Sequence, residues 1–280
     1  MDEQKVARRE RWRLILRSKS TIIGASILVF WVLCALFGEA VAPKDVYATS
    51  LIDKLDPPNG EHWFGTDRLG RDVFSRVLAG ARDILIVAPA ATVLGTILGT
   101  ILGLITGYFG GWVDNVLSRL IDAVLALPLI VLAVVAVVAL GPTSRTVIII
   151  VGLAFTPLIA RTVRSAVLVE RQLEYVQAAR LRNERAPYIM FREILPNVMP
   201  PILVEFTVRL GYAIFTVAGL SFLGFGIQAP SPDWGLSISE NYTFLSSGSW
   251  WPVTFPALAI ASLVVAVNLL SDGVLQAVEQ

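Results

Sequence analysis

The sequence predicts an all-α membrane protein of about six transmembrane helices, and three observations carry that prediction. First, 55% of its 280 residues are hydrophobic and 16% charged, against roughly 45–50% and 25% in soluble domains. A water-soluble chain so composed would expose apolar patches that soluble monomers avoid. Second, the apolar residues come in blocks of roughly 20, the length a helix needs to cross a bilayer core. Third, the blocks are continuous and lack the period-two alternation of barrel strands.

Six blocks meet the length: Thr21–Val41, Ile84–Gly107, Asp122–Leu140, Thr146–Ala166, Ile202–Leu223 and Val253–Leu270. The first follows a basic tail and ends in small residues before Pro43. It is longer than a signal-peptide core, so it reads as a retained span. This divides the chain into a basic tail (1–20), a first span (21–41), a long loop (42–83) and a five-helix core (84–280).

Several function classes are excluded at once. The single cysteine, Cys34, lies in an apolar run, so no intrachain disulfide forms. One histidine, His62, excludes clustered histidine metal sites. A net charge of +1 gives no global attraction to nucleic acid.

Lys and Arg in the loops set orientation. The tail carries Lys5, Arg8, Arg9, Arg11, Arg13, Arg17 and Lys19, and the loop 167–201 carries Arg171, Arg180, Arg182, Arg185 and Arg192; both belong inside. Gly224–Pro252 has neither Lys nor Arg and belongs outside. Both termini are therefore expected to be cytoplasmic. In the first outer loop, Val73, Phe74, Val77, Leu78 and Ala81 recur at helical spacing with Arg76 and Arg82 off the stripe, which predicts an amphipathic helix in the interface. Trp234, Trp250 and Trp251 are placed as interfacial aromatics of the other outer loop.

Gly95, Gly99, Gly103 and Gly107 stand four apart in the second span and form a groove bare of side chains, into which another helix can pack closely. Its occupant is another helix of this chain or a helix of a second subunit. Glu205 and Arg209, also four apart, share a face and can pair. Unpaired at mid-membrane the two would cost roughly 5–7 kcal/mol, so they form a structural pair or line a water-filled path. Asp122 beside Arg119 reads as a cytoplasmic-end anchor, and Arg161 and Arg164 can snorkel to the same interface.

The most informative stretch runs from Glu174 to Asn183, followed by Leu195-Pro196-Asn197. Leu173–Arg182 is a short helix of good formers. Asn183 can take the left-handed conformation that ends it, and Pro187 suits the first turn of a second helix. Ala178 and Ala179 are small enough to admit a partner surface.

Gln177-Ala178-Ala179, with Asn183 four residues on and Leu195-Pro196 downstream, resembles the cytoplasmic EAA loop of ABC importer permeases. Phe64 to Asp72, Gly107 to Trp112, Gly219 to Gly224, Trp234-Gly235 and Asn268 to Gly273 are similar to the dipeptide/oligopeptide/nickel permease family, C-subunit type, in the family's order. Two positions depart from the pattern: Asn183 stands for the usual glycine and Gln177 for the glutamate. Val217 stands where the family is often acidic, which weakens any carry-over of a charged substrate.

The resemblance implies a type I ABC importer permease in a bacterial or archaeal cytoplasmic membrane, contacting lipid. A second permease subunit, two ATP-binding subunits and an extracytoplasmic substrate-binding protein would accompany it. Glu174, Tyr175, Gln177, Ala178, Ala179, Arg180 and Asn183 would couple it to the ATPases. This chain would hold no cofactor, ATP and Mg residing in those partners. Consistently, no Gly-Lys pair occurs in the sequence, so a phosphate-binding loop ending in Gly-Lys-Ser/Thr is impossible. An ion-coupled secondary transporter using Glu205 and Arg209 is the rival. A membrane-embedded hydrolase lacks a nucleophile near His62 in sequence.

Overall fold

A computed structural model describes residues 19–279. The tail basic residues from Lys5 to Arg17 and Gln280 lie outside the described residues. Besides a 3-10 helix at Tyr242–Ser247, nine helices are present among the described residues: α1 (Lys19–Val41), α2 (Val73–Phe109), α3 (Gly111–Leu125), α4 (Leu129–Leu140), α5 (Ser144–Glu170), α6 (Glu174–Leu181), α7 (Ala186–Phe222), α8 (Trp234–Asn241) and α9 (Trp251–Glu279). Five are long and apolar enough to cross a membrane, and six if α3 and α4 count as one broken span.

That break corrects the third predicted span. The block 122–140 is not one helix: α3 and α4 meet at 87° across a gap of three residues. Pro128 has no N–H to continue α3 and pushes Leu127 away from helical geometry. α3 is amphipathic and α4 wholly apolar, so each suits a different environment.

The second correction concerns the amphipathic segment. Val73–Ala81 is not a separate interfacial helix but the first turns of α2, a 37-residue helix. At 1.5 Å per residue α2 is about 55 Å long, well beyond a ~30 Å hydrocarbon core. Asp72 caps it, Oδ2 accepting from the Ser75 N–H. Arg76 is buried, not off the stripe: its guanidinium donates to the Val46 carbonyl at 3.2 Å and the Ser231 carbonyl at 2.8 Å.

The core is built on α2 and α5, the most extensively packed pair. A Cβ added at Gly95, Gly99, Gly103 or Gly107 would lie 2.8, 2.7, 2.6 or 2.7 Å from Gly152 O, Ile159 Cβ, Val163 Cβ or Val167 Cβ. The register rises in step on both helices, so they run parallel with backbones nearly touching. Helix α5 of the same chain therefore occupies the glycine groove. Helix α1 sits outside this pair, pinned by Trp31, whose Nε1 donates to Ser262 Oγ at 2.8 Å and whose ring meets Trp234 edge-on at 4.7 Å. Val217 is fully buried in the core rather than facing a path.

The outer loops form one cap. Trp234 and Trp251 are not interfacial: both are buried, donating to Val77 O and Thr66 O, each at 2.9 Å, and only Trp250 is exposed. Arg71 Nε donates to Asp67 Oδ2 at 2.6 Å, and its other arm reaches Glu240 on α8. Arg68 holds the second Glu240 oxygen at 3.0 Å. Gly70, at φ +72°, lies directly against the Ser50 carbonyl, where no side chain fits. His62 Nδ1 lies 2.8 Å from Asp72 Oδ1. Ser75, brought near by folding, gives its hydroxyl to Asp72 and is fully buried, so the group is a staple for the cap.

Asp233 caps α8, Oδ1 accepting from Leu236 N at 2.8 Å. Complete burial, reinforced by the charge of Asp83, pushes its carboxyl up to about 6. The unfolded carboxyl titrates near 4, so between those values the folded state alone holds the proton. Stability from this group is greatest below about pH 4 and declines as pH rises to about 6, by at most about 3 kcal/mol. Asp233→Asn keeps a capping oxygen and removes the titration. Its melting temperature relative to the unchanged protein should rise between pH 4.5 and 7; a constant difference would contradict this account.

Candidate coupling site

α6 is a short helix held on one side and bare on the other. Val176 and Ala179 are fully buried against the bundle. Glu174, Gln177, Ala178 and Leu181 occupy positions i, i+3, i+4 and i+7, the spacing of a single helix face, and all four are exposed, Leu181 at 85%. This corrects the reading of the alanine pair: Ala179 faces its own chain, and Ala178 alone of the two is open to a partner. Leu181 was missed. Its signal was an apolar residue one turn after Ala178, on the same face as Glu174 and Gln177.

The seat of α6 reaches three long helices. From α5, Glu170 Oε1 accepts from the Tyr175 hydroxyl at 2.7 Å. Partial desolvation and that hydrogen bond push the phenol up to about 12, so it stays a donor. From α7, Asn197 Nδ2 donates to the Tyr175 oxygen at 3.0 Å and to Glu193 O at 2.9 Å. This gives Leu195-Pro196-Asn197 a structural use. From α2, the Tyr108 ring lies 5.0 Å beneath the Arg180 guanidinium, and the Gly107 carbonyl accepts from Arg171 at 2.8 Å. Gln177 Nε2 donates to Arg171 O at 3.2 Å. These contacts tie α6 to α2, α5 and α7.

Asn183 ends α6 at φ +56°. Its N–H donates to Arg180 O at 2.9 Å and that of Glu184 to Ala179 O at 3.2 Å, the paired bonds of a Schellman turn. Asn183→Val, forced into the left-handed region, should cost about 1–2 kcal/mol, and Asn183→Gly should not. Hydrogen exchange of the 174–181 amides should quicken in the valine variant only; equal exchange in both would remove the turn from the argument. After Pro187 in its first turn, α7 widens into a π turn at Ile189–Ile194, with Leu195 N bonded to Met190 O. The wide turn sits just before Pro196, which has no N–H to give and whose ring crowds the carbonyl four residues back.

Three acidic side chains of the long helices are paired within the chain. Glu205 Oε2 accepts from Arg209 Nε at 2.8 Å and Oε1 from Thr162 of α5 at 2.8 Å, so both carboxylate oxygens are engaged. Arg164 holds Asp114 with two bonds of 2.6 Å, and Arg161 holds Asp122 at 2.5 Å. Asp122 thus pairs with Arg161 rather than with the predicted Arg119, and the two pairs tie α3 to α5.

A multi-span helical bundle with paired charges between its long helices, and with one short helix mounted on three of those helices, has the form of a transport permease. The chain belongs to the binding-protein-dependent transport system inner membrane component family, whose pattern matches residues 99–280. The N-terminal TM domain of oligopeptide transport permease C matches residues 8–58. Among relatives, the dipeptide transport system permease protein DppC of Alkalihalophilus pseudofirmus is 38% identical over 271 residues, covering 97% of this chain and 89% of the relative. DppC of Bacillus subtilis is 36% identical over 96% of this chain and 84% of its own. The glutathione transport system permease protein GsiD of Shigella flexneri is 40% identical over 99% and 92%. A chain of the MetNI methionine ABC transporter shares the fold, with a TM-score of 0.58 at 19% identity, over 73% of this chain and 97% of its own.

Proposed function

We propose that this chain forms half of the pathway of an ATP-driven importer in a bacterial or archaeal cytoplasmic membrane, moving peptides or a related small solute by alternating access. A second permease completes the pathway, two ATP-binding subunits carrying ATP and Mg drive it, and an outer binding protein delivers substrate. The observation that carries this reading is α6: an exposed stripe of Glu174, Gln177, Ala178 and Leu181 on a helix that bonds to α5 and α7 and stacks Arg180 on Tyr108 of α2. Tyr175, Ala179, Arg180 and Asn183 hold the helix in place, and the stripe meets the ATPase. Such a mount converts a movement of the partner into a joint movement of spans. The peptide class follows from the dipeptide and glutathione permeases that the chain is similar to. The test is uptake into vesicles bearing the full set of subunits. Peptide accumulation should require ATP on the α6 side. Accumulation driven by a proton or sodium gradient without ATP would sink the proposal and favour an ion-coupled carrier.

A further inference from the structure

In the outer half of the bundle, α1 and α2 stand apart above α7 and α9 and enclose a groove of about 500 Å³. Leu28, Val32 and Leu36 of α1 form one wall, Ile86 and Pro89 of α2 the other, and Ile214 of α7 part of the floor. Arg82 is the one charged residue lining it. Arg71, Arg76, Arg164 and Arg209 each hold a carboxylate or carbonyl. The Arg82 guanidinium is exposed and makes no hydrogen bond or ion pair among the described residues. The carboxylate of neighbouring Asp83 is engaged by Ser231.

Depth and direction identify the occupant. Gly38 of α1 packs on the Leu78 carbonyl of α2. The helices run antiparallel, so Leu36 and Arg82 mark the outer end of the groove and Leu28 and Pro89 its inner end. Leu28 to Leu36 spans about 12 Å of helix, close to one leaflet's share of a ~30 Å hydrocarbon core. The rim faces lipid: Leu36 is 69% and Ile86 54% exposed. A long basic side chain at that level extends toward the headgroups, and a guanidinium fork matches phosphate oxygens in a bidentate pair.

We propose that this groove is a binding site for one phospholipid of the outer leaflet, its acyl chain lying between α1 and α2 and its phosphate accepting from Arg82. The lipid would fill the seam between α1 and the core helices.

The test uses the full chain with its copurifying subunits, in vesicles of phosphatidylethanolamine and phosphatidylglycerol. A trace of phosphatidylglycerol carries a photoactivatable group midway along its acyl chain. After irradiation, peptides containing Val32 to Leu36 and Ile86 to Pro89 should be labelled about tenfold above the peptide bearing Val135 and Val138 of α4, equally open to lipid but without a cation. Arg82→Gln should remove most of that excess and Arg82→Lys should keep part of it. Ala35→Trp, which fills the groove, should abolish it. The proposal is overturned if the groove is labelled no more than α4, or if Arg82→Gln leaves labelling unchanged. It is equally overturned if a photoreactive residue at position 36 captures another permease subunit instead of lipid.

Discussion

A Gly99→Leu chain should lose about 3 kcal/mol or more of stability, the upper end of overpacking, and fail to assemble with its partners. The first added atom alone would stand 2.7 Å from Ile159 Cβ and 2.9 Å from the Thr156 carbonyl. The second contact is backbone, which cannot rotate away, and the first is a β-branched side chain, stiff at χ1. Relief requires α2 and α5 to separate along a seam that includes Gly95, Gly103 and Gly107. Gly219→Leu on α7 is the control, because a Cβ there meets nothing within 4 Å. Melting of the purified proteins and recovery of the assembled complex measure both. A Gly99→Leu variant that melts and assembles like the control would show that the α2–α5 seam does not depend on bare backbone.

Ala178→Trp should leave the chain folded and in the membrane while reducing ATPase copurification and ATP-driven uptake by about tenfold or more, the equivalent of at least ~1.4 kcal/mol of docking. Ala178 is exposed, so the indole disturbs nothing in this chain. It does stand in the middle of the stripe that faces a partner. Ala179→Trp makes the contrast. Ala179 is fully buried beneath α6, so its tryptophan should unseat the helix and lower the melting temperature as well. Leu181→Asp should behave like Ala178→Trp, removing the one large apolar side chain of the stripe. Full uptake by Ala178→Trp with unchanged melting would make α6 a bystander in energy coupling.

The features legible in sequence were those set by local chemistry. Block length against bilayer thickness located the long helices. The left-handed preference of asparagine placed the end of α6 at Asn183, and four-residue spacing put the glycines on one face and Glu205 within reach of Arg209. The cap was illegible because its partners are far apart in sequence. Glu240 meets Arg71 across 169 residues. Its only signal was being the sole glutamate in an outer loop without Lys or Arg, opposite a loop rich in both.

The sequence by itself determined that this chain crosses a membrane as helices, which loops face inward, and that a short helix ending at Asn183 projects on the basic side. Composition, length and the conformational range of single residues are enough for those conclusions. Only the tertiary structure decided which side of each helix is open. It turned Ala179 inward and Ala178 outward, buried Arg76 that periodicity had placed off the apolar stripe and Trp234 that its aromatic character had placed at the interface, and bent the third span at Pro128. It also put α5 into the glycine groove. The physical reason is the same in each case: a helix of known face still has no preferred neighbour until another surface of matching shape and charge approaches it, and that surface comes from elsewhere in the chain.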